Sequence, residues 1–157
     1  MGFGGWSSAR RRRQFNTVRH RSRMANGGHW ATDDEWRRVE APLLEVDAEI
    51  GQFAKEFGLR VTKNLKDWPE RSIAWGSAIR RLIQLYLVDE KQLTFNLWLC
   101  ASQDRGDERY WKHEKLISAK TVSEFKDSLP VLLREARMKL EAWSERDLEL
   151  AVHLHRP

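Results

Sequence analysis

Cys100, the one thiol of the chain, and the imidazole of His113 are the side chains that could together perform nucleophilic chemistry. Such chemistry needs a thiolate, a base beside it and usually a third group that orients the imidazole. Neither residue lies in the local signature of a thiol enzyme, and both fall in segments that alternate like strands. The pair defines no triad, and no catalytic residue is assigned. Asp104, Asp107 and Glu108 flank Gly106 without the alternating oxygen spacing of a calcium loop, and read as a solvated hairpin tip. His153 and His155 converge only if they sit on a strand, and read as a fraying chain end. Gly51, Gly58, Gly76 and Gly106 stand alone, so there is neither a phosphate-binding loop nor a dinucleotide fingerprint. The expectation is no metal and no cofactor, and an activity that is more binding than catalysis.

The strongest charge feature is Arg10, Arg11, Arg12 and Arg13. With Arg19, Arg21 and Arg23 they make seven of the 28 basic residues, in a stretch of 30 without an acidic side chain. The rest of the chain holds 21 basic residues against all 23 acidic ones, so the basic character belongs to this segment and not to the body. Arginine clusters attract phosphate through counterion release, which gives salt-sensitive affinity without sequence readout. Nucleic-acid binding through Arg10–Arg13 is therefore the alternative function. The acid-free composition also suits a transit peptide, though its apolar stripe is thin. Residues 1–31 read as a disordered tail, and Met24 offers a second start that would remove every one of these arginines. No apolar run approaches the roughly 18–20 residues of a membrane helix, and one cysteine excludes a disulfide framework. A cytoplasmic protein with no membrane partner is expected.

The body, residues 32–157, reads as one α+β domain. Thr32-Asp33-Asp34-Glu35 is a capping box. Behind it, Trp36, Val39, Leu43, Val46, Ile50, Phe53 and Phe57 recur at spacings of three and four, an amphipathic helix closed by Gly58. Pro42 should kink or restart it. The period then falls to two. Segments 59–64, 71–76, 81–88, 93–101 and 109–117 read as an antiparallel meander of four or five strands, with Trp68-Pro69 as an extended turn. The aliphatic faces of 81–88 and 93–101 meet only if paired residue numbers sum to an even value, such as Leu85 with Phe95. That demands a bulge or odd loop near Asp89–Gln92. A second capping box, Thr121 to Glu124, opens a helical stripe through Val122, Phe125, Leu129, Leu132, Ala136, Leu140 and Trp143. Pro130 restarts this helix after Ser128, and Ser144 caps a last short helix through Val152. Helices on one face of such a sheet make a two-layer domain.

The other sheet face carries Gln84, Tyr86, Thr94, Asn96, Trp98 and Cys100. Trp111 and His113 join it if the turn at Arg105-Gly106 sets Trp98 opposite His113. Aromatic rings mixed with amide and imidazole groups suit recognition better than a plain solvated face. Tyr86, Asn96, Trp98, Trp111 and His113 are the candidate binding residues, and a protein partner or a second copy of the chain is the expected occupant.

Overall fold

A computed structural model describes Trp30 and residues 32–151. Arg10–Arg13, Met24, His153 and His155 lie outside the described residues. Backbone contacts divide the chain into one unit of residues 1–38 and another of residues 39–157. In the first, Thr32 Oγ1 accepts the backbone N–H of Glu35 at 3.2 Å, which is half of the expected capping box. The rings of Trp30 and Trp36 meet edge to face, 5.6 Å between centroids.

Helix α1 runs from Asp33 to Phe57 as one helix through Pro42, so the chain does not restart there. Val39, Leu43, Val46, Ile50, Phe53 and Ala54 form its buried stripe, so packing along one face outweighs the one backbone donor that proline lacks. Its end is a Schellman motif. Gly58 adopts a φ of 65°, Leu59 N–H bonds Ala54 O at 2.8 Å, and Gly58 N–H bonds Lys55 O at 3.4 Å.

The strands that follow are β1 (Arg60–Lys63), β2 (Glu70–Trp75), β3 (Arg80–Asp89), β4 (Thr94–Arg105), β5 (Glu108–Thr121) and β6 (Glu149–Leu150). They form one antiparallel sheet of six in simple sequence order. The chain is thus an α+β protein with one strand more than the sequence reading allowed. That strand, β6, replaces the last short helix. The capping box at Ser144 and Asp147 closes only a single 3-10 turn, after which Leu150 and Glu149 pair with Tyr110 and Trp111 of β5. Among the described residues this short strand is the only one lying along the outer edge of β5.

Strand register follows the even-sum expectation, with Leu85 opposite Leu97 and Leu87 opposite Phe95, and then a bulge between Leu87 and Asp89. Leu85 faces Leu97 and not Phe95, a partner two residues on but of the same parity, and the bulge sets that parity by adding one residue between Leu87 and Asp89. Helices α2 (Val122–Phe125) and α3 (Leu129–Ala142) complete the fold, with Thr121 and Glu124 forming the capping box of α2. Ser128 and Pro130 restart the chain as α3, as the sequence indicated. Leu133, and not Leu132, joins Leu129, Ala136 and Leu140 in its buried stripe.

One face of the sheet and the two long helices share the core. A void of about 10 Å³ is lined jointly by Ile50 of α1, by Ile73, Ile83, Leu85 and Leu97 of the sheet and by Leu129 and Leu133 of α3. So small a gap reflects close packing between the layers. Arg81 satisfies carbonyls at the C-terminus of α3, donating from Nε to Leu140 O at 2.9 Å and from Nη2 to Trp143 O at 3.3 Å.

The eighth wall of that void is Arg71, whose side chain is 0% exposed. Its Nε and Nη2 donate to Asp47 Oδ1 and Oδ2 at 2.6 and 3.2 Å. Nη2 also reaches Glu40 Oε1 at 3.3 Å, and Nη1 donates to Asn64 Oδ1 and Glu70 O, both at 2.9 Å. Every donor of the guanidinium fork therefore has an acceptor. Partial burial acts to raise the Asp47 carboxyl, but the bonds from Arg71 and Lys63 outweigh it and hold the group below its ordinary 3.8.

Removing Asp47 leaves a buried guanidinium with two orphaned donors, so Asp47→Ala should lower the unfolding free energy by about 3 kcal/mol. Urea titration at pH 7 checks this, and a loss under about 1 kcal/mol would show the pair to be incidental. The Asp47 contribution is complete above its ordinary value of 3.8 and fades as pH falls through the lower value it has in the fold. The gap between wild type and variant should therefore narrow below about pH 4.

Candidate functional site

Strand alternation turns Glu70, Ser72, Ala74, Leu82, Gln84, Cys100 and Ser102 away from the helices. In register they lie side by side: Ala74 opposite Leu82 and Leu82 opposite Cys100, with Ser72 opposite Gln84 and Gln84 opposite Trp98. Most of these side chains are short. They make the floor of a concavity of about 870 Å³ on the uncovered face of the sheet. Trp68, Tyr86, Trp98, Trp111 and His113 stand around it.

The aromatic wall is a contact series. His113 stacks on Trp111, with centroids 4.3 Å apart and planes 6° from parallel. Trp98 meets the same imidazole edge to face at 5.1 Å. Trp98 Nε1 donates to the Tyr86 hydroxyl at 2.9 Å, and Lys115 Nζ lies 5.0 Å from the Trp98 ring. Trp68 is fixed by its Nε1 donating to Leu87 O at 2.7 Å. All these rings except exposed His113 are half-buried, so they are held in place yet open on one side.

Four of the five candidate residues, Tyr86, Trp98, Trp111 and His113, thus come together. Asn96 is buried elsewhere. Its Oδ1 accepts the backbone N–H of Ala119 at 2.7 Å, bracing an irregular stretch of β5 where Ala119 has a φ of 46°. Trp98 opposes Lys115, and His113 opposes Cys100, because the β4–β5 turn falls at Gly106-Asp107 and not at Arg105-Gly106. The shift is two residues, so Trp111 and His113 keep the expected face and only their partners change.

Sequence reasoning passed over the polar end of the concavity. Glu70 is only 4% exposed, and its carboxylate accepts Leu65 N–H at 3.1 Å, Gln84 Nε2–H at 2.7 Å and Ser72 Oγ–H at 3.4 Å. It also passed over the basic rim of Arg60, Arg80 and Arg109. Arg80 is placed by a turn that admits no other residue at Gly76. There φ is 87°, and a Cβ would stand 2.1 Å from Ile79 O. Alternation from Leu82 back to Arg80 carries that signal in the sequence; Arg60 needs the β1–β2 register, which the sequence does not fix.

Cys100 and His113 face each other across β4 and β5, yet no hydrogen bond joins them. Burial pushes the thiol up to about 11, so it is protonated at neutral pH, and the imidazole is engaged by two indole rings. That is poor ground for a nucleophile. Among the described residues, no group of three or more His, Cys, Asp or Glu side chains could hold a metal ion. No described helix is long and apolar enough to cross a membrane. No protein-family model, curated protein or solved structure matches the chain.

The raised Cys100 value has a direct readout. Alkylation by iodoacetamide at pH 7 should run about a hundredfold slower than for a thiol titrating at its ordinary 9.0, and should accelerate as pH rises toward 11. A rate equal to that of a small free thiol would mean an accessible thiolate and reopen nucleophilic chemistry.

Proposed function

We propose that this protein works by binding, and that the uncovered concave sheet face is its recognition surface. The observation that carries this reading is the wall of Trp98, His113 and Trp111 over a floor of short side chains. Ring contacts fix three large aromatic groups in place while a cleft of about 870 Å³ stays open beside them. That volume lies within the roughly 300–1,000 Å³ usual for ligand pockets. Pre-arranged aromatic groups bind without ordering cost, the property that makes such residues interface anchors. Tyr86, Trp98, Trp111 and His113 are the contact residues in this reading, and Asn96 supports the strand behind them.

A second copy or a protein partner can occupy this face only by inserting a protruding element, whereas a compact ligand fits without one. Trp98→Ala separates the cases. N-phenyl-naphthylamine, a neutral fluorescent probe, should bind the wild type and lose about tenfold or more in affinity with the variant. The melting temperature should change by only a few degrees, since Trp98 is half-buried and covers no core residue of the helical layer. A dimer that becomes monomeric in sedimentation velocity would give the face to a second copy. A collapse of stability in a monomer, with probe binding unchanged, would make Trp98 a packing residue and end the binding reading.

A further inference from the structure

The concavity has two chemically different ends. Arg60 and Arg80 lie at one of them, both exposed, and neither makes a hydrogen bond or ion pair with a described residue. Arg109, on the same rim, is already taken by Asp104 at 2.7 and 3.4 Å. At the other end sits the buried carboxylate of Glu70 with its three donors, the only acidic side chain among the described residues that line the cleft.

Register places the two arginines against the aromatic wall. Arg80 opposes Ser102, which opposes Trp111, in one row across β3, β4 and β5. The neighbouring row runs from Arg60 through Ala74, Leu82 and Cys100 to His113. Arg60 and Arg80 stand two strands and one row apart, about 12 Å at the backbone, within the joint reach of two guanidinium groups closing on a single anion. The row between them and the indoles is low and largely apolar, so a flat body fits there beside the rings.

Resting on the binding function proposed above, we infer that the occupant is a small planar organic anion. One carboxylate, sulfonate or phosphate group lies between Arg60 and Arg80, and one ring system lies over Ala74, Leu82 and Cys100 against Trp111 and His113. Neither guanidinium has a hydrogen bond to give up, although Asp104 already feels the charge of Arg80, so both gain charge-assisted bonds to such a ligand at little cost in broken protein contacts. The far end selects as well. Gln84 Nε2 and Ser72 Oγ already donate to Glu70 and are not offered to a second anionic group. The Tyr86 hydroxyl accepts from Trp98, but its own proton has no acceptor among the described residues, so a neutral acceptor on the ligand suits that end. A nucleic-acid strand fits less well, because a strand needs cations along the whole groove, and the rim arginines are gathered at one end.

Two probes that share a ring body isolate the charge: anilinonaphthalene sulfonate and its neutral counterpart N-phenyl-naphthylamine. Fluorescence titration of the full chain should give the sulfonate about tenfold higher affinity, and added salt should erode that preference. In R60Q/R80Q the ratio of the two affinities should fall toward one, while urea titration shows an unchanged fold. Equal affinities in the wild type, or a ratio that survives in the double variant, would overturn the anion site and leave the binding function standing. If neither probe binds, or Trp98→Ala alters neither, the binding function itself fails. Displacement of the sulfonate by oligo-deoxythymidine at physiological salt would give the groove to a nucleic-acid strand and overturn the inference.

Discussion

Everything at the β1–β2 edge of the molecule depends on one buried guanidinium. Arg71 sits inside the sheet–helix layer, where an unpaired charge would cost several kcal/mol. It is tolerated because Asp47 and Glu40 of α1, Asn64 after β1 and the Glu70 carbonyl accept all of its donors. The same set fixes geometry. Asn64 is held left-handed at a φ of 52°, with its Nδ2 donating to Glu40 and its Oδ1 accepting from Glu70 N–H. Helix α1, the turn after β1 and the start of β2 are thereby locked to one centre. A strand of four residues would be marginal on its own, and this centre is what gives β1 a fixed place. Because successive strand residues point to opposite faces, Glu70 then faces the concavity. Core and recognition surface are built from adjacent residues.

The regular parts of this architecture could be read in the sequence, and the polar parts could not. Periodicity of three and four located α1 and α3, alternation located β3, β4 and β5, and the parity of paired residues implied a bulge near Asp89. These signals come from burying apolar side chains on one face, which the sequence displays directly. β2 looked weak for a physical reason. Its inward positions include Arg71, and its outward ones, Glu70, Ser72 and Ala74, are not apolar enough to show alternation. β6 was misread because a capping box marks only where a turn starts, and pairing with Tyr110 and Trp111 prevailed over helix extension. Asn96 was placed on the recognition face by parity, yet its amide is spent on Ala119. A bulge that needs such a brace leaves no pattern in the strand facing it.

The distribution of polar groups around the concavity suits the binding proposed for it better than nucleophilic chemistry. Cys100 and His113 are adjacent, as an enzyme would need, but burial keeps the thiol protonated and the imidazole is in contact with two indoles. The groups that stay available are of another kind: indole faces, a phenol proton and two guanidinium forks. Such groups hold a ligand without transferring an atom to it. The concavity owes its depth to Ser72, Ala74, Cys100 and Ser102, so the small residues of the strands shape the proposed binding surface as much as the large ones beside them.

The short reach of β6 bears on how the protein behaves when concentrated. Beyond Tyr110 and Trp111, the outer side of β5 has no partner strand among the described residues, leaving a run of backbone donors and acceptors able to template another sheet. Lys112, Lys115 and Lys120 punctuate that run, and the pairing irregularities between Phe95 and Trp98 twist it away from flatness. Charge repulsion and curvature are the usual defences against end-to-end polymerisation of sheets. Here the first is lysine-borne, so resistance to fibril growth depends on ionic strength and on whether those amines keep their charge.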